Sequence, residues 1–147
     1  MTPRALLLTF TVAVVMLLRP SGLAAPSLGL ADTFVVYDAP SPAAFPLVSA
    51  EGSAPLWHDA ADWPGVIHAV GDLRADIERV TGRAPSLSSA QPKAACVVII
   101  GTLGRSAAID ALVAAGKLDV SDLRGKWESF VITTVEQPMP GVERALV

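Results

Sequence analysis

The sequence predicts an α/β fold, an α+β sandwich in which two main helices pack on a mixed, largely antiparallel sheet. Three observations carry it. Apolar residues recur at helical spacing between Pro64 and Gly82. Cys96 to Ile100 is an unbroken apolar run. Two β-rich stretches near the C-terminus flank a Pro-Met-Pro-Gly turn. In chain order these features read β-β-α-β-α-β-β, which places helices against a sheet.

Each element has a local reason. Phe45 to Val48 and Leu56 to His58 flank Glu51-Gly52-Ser53 and suggest a short hairpin. Val66, Val70, Leu73, Ile77 and Val80 follow at steps of four, three, four and three. On a helix they share an arc of about 80°. Pro64 suits the first helical position, where its missing N–H costs nothing, and Gly82 suits the residue past the end. Cys96 to Ile100 fits a strand covered on both faces or packed under a helix. Gly101 to Gly104 breaks that strand, Ser106 is a natural N-cap, and Asp110 stands in the first turn. Ile109, Leu112 and Val113 form the buried stripe of this second helix, and Gly116 ends it. Asp119 to Leu123 suggests a short helical turn. Trp127 to Val135 is rich in aromatic and β-branched residues and predicts a strand. Val142 to Val147 would pair with it across the turn from Gln137 to Gly141.

The last run has no terminating turn, cap or polar tail, which suggests the front part of a longer protein. At the other end, Met1 to Ala31 has no acidic residue, and Arg4 precedes an apolar block from Ala5 to Leu18. Small residues follow, with candidate cleavage after Ala25 or Ala31. This is the layout of a secretory signal peptide, and Arg19-Pro20 interrupt any membrane span. Residues 32–44 read as a Pro-rich linker, with Thr33 to Tyr37 β-prone inside it. Residues 45–147 form the single domain, incomplete at its C-terminus, and a secreted, extracellular location is expected.

The net charge of −3 becomes more negative once Arg4 and Arg19 are removed. Nucleic acid is therefore an unsuitable partner, since phosphate binding needs concentrated Lys and Arg. Cys96 stands alone, so no disulfide forms within the chain, and the absence of Asn removes any N-glycosylation sequon.

No catalytic set, cofactor motif or metal pattern emerges. Gly101-x-x-Gly104-Arg105-Ser106 lies between strand and helix, but it has neither the glycine spacing nor the Lys of a phosphate loop. A tight turn explains it, with a weak anion site at Ser106 as the remainder. Asp72 and Asp76 are spaced i, i+4, as expected on a solvated or salt-bridged face. His58 and His68 lack companions at zinc-ligand spacing. Cys96 sits among apolar neighbours, as packing thiols do, and Ser129 lacks the nucleophile elbow. Trp57, Trp63 and Trp127 raise a sugar-stacking platform as an alternative to core packing. Trp57, Trp63 and Ser106 are the candidate sugar contacts.

Several stretches in fixed order resemble the N-terminal domain of glycoside hydrolase family 115, the xylan α-1,2-glucuronidases. They are Asp62-Trp63-Pro64-Gly65-Val66, Asp72-Leu73, Asp76-Ile77, Val80-Thr81-Gly82 with Pro85, and Ile99 to Thr102. Gly104, Ser106, Ile109-Asp110, Gly116 to Asp119, Gly125 to Glu128 and Pro138 to Val142 continue the match. The resemblance spans nearly all of residues 45–147. It implies the α/β domain that precedes the barrel in several glycosidases. It also implies a whole protein that removes (4-O-methyl)-glucuronic acid from glucuronoxylan with inversion. Inversion uses two carboxyls about 6.5–9.5 Å apart, and in the resembled family these lie in the barrel. No catalytic residue of the family maps onto this sequence. The expected partners are that missing catalytic barrel and, eventually, plant cell-wall xylan, and the chain alone is expected to be inactive. The alternative is a free-standing secreted carbohydrate-binding or accessory module without hydrolase activity.

Overall fold

A computed structural model describes residues 44–147. The predicted signal peptide, the β-prone Thr33 to Tyr37 and the linker up to residue 43 lie outside the described residues. Elements follow in the order β1 (Val48–Ser49), β2 (Gly52–Ser53), β3 (Leu56–His58), α1 (Pro64–Thr81), β4 (Leu87–Ser88), β5 (Cys96–Ile100), α2 (Ala107–Ala114), β6 (Thr134–Met139) and β7 (Val142–Leu146). The class is as expected: two helices on a mixed sheet.

β5 explains the layering. Val97 and Ile99 enter one core with Ile109 and Leu112 of α2, while Val98 enters the other with Val70 and Ile77 of α1. Successive strand residues point to opposite faces, so an unbroken apolar run requires cover on both. The two helices supply it.

The five-stranded sheet has the order β4-β3-β5-β7-β6. Its balance differs from the expected antiparallel majority. The β3–β4, β3–β5 and β5–β7 pairings are parallel and only β6–β7 is antiparallel. The connections after β3 and β4 bring the chain back in the same direction, the connection through α2 brings it back reversed as β6, and a two-residue turn reverses it again, so β7 runs parallel to β5. That turn is Pro140-Gly141, with Gly141 at φ 81°, the left-handed value a type II turn requires at its second central residue. A bulge at Gln137 and Pro138 lengthens β6 before it.

Two local expectations shift. The predicted hairpin exists, but its arms are β1 and β2, paired Val48 to Ser53 and Ser49 to Gly52. Leu56–His58 joins the main sheet instead, because its alternating Leu56 and Trp57 fill the two cores. Arg83 ties the hairpin to the end of α1, donating to the carbonyls of Ser49 and Ala50 at 2.7 Å each. The predicted strand from Trp127 also starts late, at Thr134. Thr133 exchanges two hydrogen bonds with Val147, and Phe130, Val131 and Ile132 find no ladder partner among the described residues. Glu128, at φ 52°, kinks the chain before them.

α1 begins at Pro64 and ends on Gly82 in the left-handed conformation, φ 70°, as expected. Its apolar stripe docks through one flank only. Val70 and Ile77 are buried, Val66 is half-buried, and Leu73 and Val80 are exposed. At 100° per residue, Leu73 and Val80 lie about 60° and 80° round from Val70. Arg74, on the other side, is half-buried and donates to the Pro85 carbonyl at 3.0 Å.

This orientation predicts unequal costs in urea unfolding. Val70→Ala should destabilise by roughly 1.5–3 kcal/mol through lost burial and a cavity, and Val80→Ala by less than about 0.5 kcal/mol. Equal costs would place the helix in a different rotation.

Candidate functional site

The sheet order creates one place where an α/β fold ordinarily holds a ligand. After β3 the chain crosses to β4 on one side, and β5 takes the other. The order therefore reverses between β3 and β5, and the crevice lies beyond their carboxyl ends. The loops entering it are residues 59–63 and 101–106.

Carboxylates of the chain itself fill this crevice. Asp62 is buried, 5% exposed. It accepts hydrogen bonds from the Trp63 amide at 2.7 Å and the Thr102 amide at 2.6 Å. Burial pushes its pKa upward, but the hydroxyl and amide of Thr102 and the amide of Trp63 outweigh that, and the net direction is down. Asp59 accepts from the Ala61 amide at 2.9 Å and from Ala107, the first residue of α2, at 3.1 Å. These two amides hold its carboxyl below the ordinary range. Asp59 thus occupies the helix N-terminus where an external anion would sit.

Ser106 caps the same helix. Its hydroxyl accepts from the Ile109 amide at 3.4 Å and is fully buried. Gly101 makes this possible: a Cβ there would stand 2.5 Å from the Ser106 Cβ. Asp110 accepts from the Gly104 amide at 2.8 Å and closes the loop from beneath. Ser106 therefore offers no surface to a sugar or an anion, and the conjectured anion site is taken by Asp59.

The tryptophans part company. Trp57 is half-buried and packs on the α2-side core, and Trp63 is half-exposed beside the crevice. The Arg105 guanidinium lies 3.8 Å from the centroid of the Trp63 ring, a cation–π contact covering one face. Trp127 is 94% exposed in the irregular stretch before β6. No platform of three rings forms. Trp63 with Arg105 is the surface left at this edge of the sheet.

The remaining candidates are engaged elsewhere. Asp72 faces His68 at 3.5 Å and Asp76 pairs with Arg79, both on the solvated side of α1. His58 is buried and its Nδ1 donates to the Asp59 carbonyl at 3.1 Å. Burial raises the Cys96 thiol, which makes it a poor nucleophile. Ser129 lies exposed in the irregular stretch. Among the described residues no group of His, Cys, Asp and Glu is arranged to hold a metal ion, and no helix is long and apolar enough to cross a membrane. A broad cleft at the opposite edge is bordered by Lys93, Lys117 and the β6–β7 turn. Lys117 is committed there to the Gln137 and Pro138 carbonyls.

Sequence reading missed the two carboxylates that organise the crevice. Their signal is faint but physical: Asp59 and Asp62 sit between a strand end and Pro64, where Asp side chains turn back onto nearby amides. No protein-family model matches this chain, and no curated protein matches it.

Asp62→Ala should cost about 1.5–3 kcal/mol, the range for hydrogen bonds to a charged group, by leaving the Trp63 and Thr102 amides unpaired. The pH dependence has a definite sign. Both folded carboxyls titrate below the ordinary value of 3.8. Their stabilisation is thus present above that value and is lost as pH falls through it and below. Urea midpoints measured from pH 6 to pH 2.5 should fall less steeply in Asp62→Asn than in the parent. Parallel curves would remove Asp62 from the account.

Proposed function

We propose that this chain is the N-terminal, non-catalytic α/β module of a secreted glycoside hydrolase. In full length that enzyme would remove (4-O-methyl)-glucuronic acid from glucuronoxylan. The module's role is structural: it supports the catalytic barrel of the same polypeptide, and Met1 to Ala31 directs export. The reading rests on the resemblance to family 115 and on an α/β fold of the expected class.

One observation carries it beyond resemblance. Trp127, Phe130 and Ile132 are 94%, 80% and 46% exposed, and they follow one another within the irregular stretch before β6. Apolar surface concentrated in this way marks a face that another protein surface covers. The crevice, by contrast, has its polar groups satisfied by one another, as in a module that holds shape.

Incubated with glucuronoxylan, the chain should release no free 4-O-methylglucuronate, and its release would refute the reading. Passage over immobilised xylan tests the alternative of a free-standing binding module. Retention abolished by Trp63→Ala would favour that alternative, since Trp63 is the exposed ring at the crevice. Exported protein should begin at Pro26 or Asp32, and an N-terminus still at Met1 would exclude the export signal.

A further inference from the structure

We infer that the bond between Lys126 and Trp127 is a processing site for an endoprotease that cuts after basic residues, and that the cut molecule stays one folded body. This goes beyond the module reading and does not rest on it, since it concerns the chain wherever this stretch stands uncovered. A nicking site must be exposed, and its backbone must be free to enter a protease in extended form. Residues 124–132 are all exposed and lie outside helix and strand. Among the described residues no backbone hydrogen bond engages residues 127–132. The Lys126 amide donates to the Leu123 carbonyl at 3.1 Å, and its ammonium lies 4.0 Å from the exposed Asp122 carboxylate. An exposed pair at that distance restrains little.

The other basic residues in the described part are each held. Leu123, just before Arg124, packs against the α2-side core, and its amide donates to the Val120 carbonyl at 3.0 Å. A cut after Arg124 therefore requires Leu123 to leave that core. Arg74 and Arg79 lie within α1, and Arg144 lies in β7 between two strands. Arg83 binds the Ser49 and Ala50 carbonyls, and Arg105 stacks on Trp63. Lys117 precedes the buried Leu118. Lys93 is exposed, but Ala94 after it packs on the core, and the Ala95 carbonyl accepts from the Glu143 and Arg144 amides at 2.8 and 3.0 Å.

Hydrolysis adds one water across the bond: the hydroxyl goes to the Lys126 carbonyl carbon and the hydrogen to the Trp127 nitrogen. The sheet does not depend on that bond. The piece that begins at Trp127 keeps both β6 and β7. β7 is paired with β5, with Cys96, Val97 and Val98 opposite Arg144, Ala145 and Leu146. Val142 and Ala145 are buried in the α2-side core. Two side chains of the other piece also grip the β6–β7 turn. Lys117 donates to the Gln137 and Pro138 carbonyls, and Gln91 donates to the Pro140 carbonyl at 3.0 Å.

The test is brief trypsin treatment of the native chain, read by intact mass. Within residues 44–147 the first cut should fall after Lys126. Cutting tracks the population of the open form, so Lys126→Gln should slow the first cut there by roughly tenfold and move it to Arg124. Leu123→Ala, which loosens the anchor, should speed the Arg124 cut in that variant. The two pieces of the nicked parent should elute together in gel filtration and separate only in denaturant. A first cut after Arg83, Lys93 or Arg124 in the parent would overturn the inference. So would release of the Trp127–Val147 piece under native conditions, since the cut molecule would then not remain one body.

Discussion

Strand β5 has apolar side chains on both faces, and burying both is the constraint on which the rest of this structure depends. Val97 and Ile99 need α2, and Val98 needs α1. A helix on each side requires long connections: the one through α1 returns the chain as β4, parallel to β3, and the one through α2 returns it as β6, antiparallel to β5. The Pro140-Gly141 turn reverses the chain once more, so the sheet is parallel through β4, β3, β5 and β7 and antiparallel only between β7 and its edge strand β6. Covering one five-residue run on both faces thus sets the layering, and the β6–β7 turn sets the mixture of strand directions.

The same topology puts the order reversal between β3 and β5, and this chain closes that crevice with its own carboxylates. Asp59 neutralises the amino end of α2, and Asp62 bridges the two loops from a buried position. A buried carboxylate is tolerable there because amide donors replace its lost hydration. Gly101 lets the two loops approach closely enough for Ser106 to cap α2. The outcome is a rigid edge whose exposed feature is the stacked Trp63 and Arg105 pair.

Much of this was legible in the residues, for physical reasons that also mark the limits. Pro64 and Gly82 announce α1 because each suits only a helix end, and Ser106 announces α2 by its hydroxyl. The rotation of α1 was not legible, since five apolar residues at helical spacing do not say which flank touches the sheet. Strand direction was equally hidden. Propensity marks Leu56–His58 as β but not its partner, and the adjacent Glu51-Gly52-Ser53 turn belongs to a smaller hairpin. Trp127 to Thr133 has strand composition without strand structure, because a ladder needs a partner as well as β-branched residues. Of the candidate site, Trp63 proved exposed, whereas Trp57 and Ser106 serve the core and the cap. The loop-bridging role of Asp59 and Asp62 was not legible because the amides that join the two loops through them lie 48 and 40 residues away in sequence.

Native-state hydrogen exchange across the sheet tests the central constraint most directly. If β5 is covered on both faces, the Val97, Val98 and Ile99 amides should exchange only through global unfolding, with a free energy equal to that from urea denaturation. The two-residue edge strand β4 should exchange far faster. Should the β5 amides exchange as readily as those of β4, the strand is not enclosed between two helices and the layered fold described here is wrong.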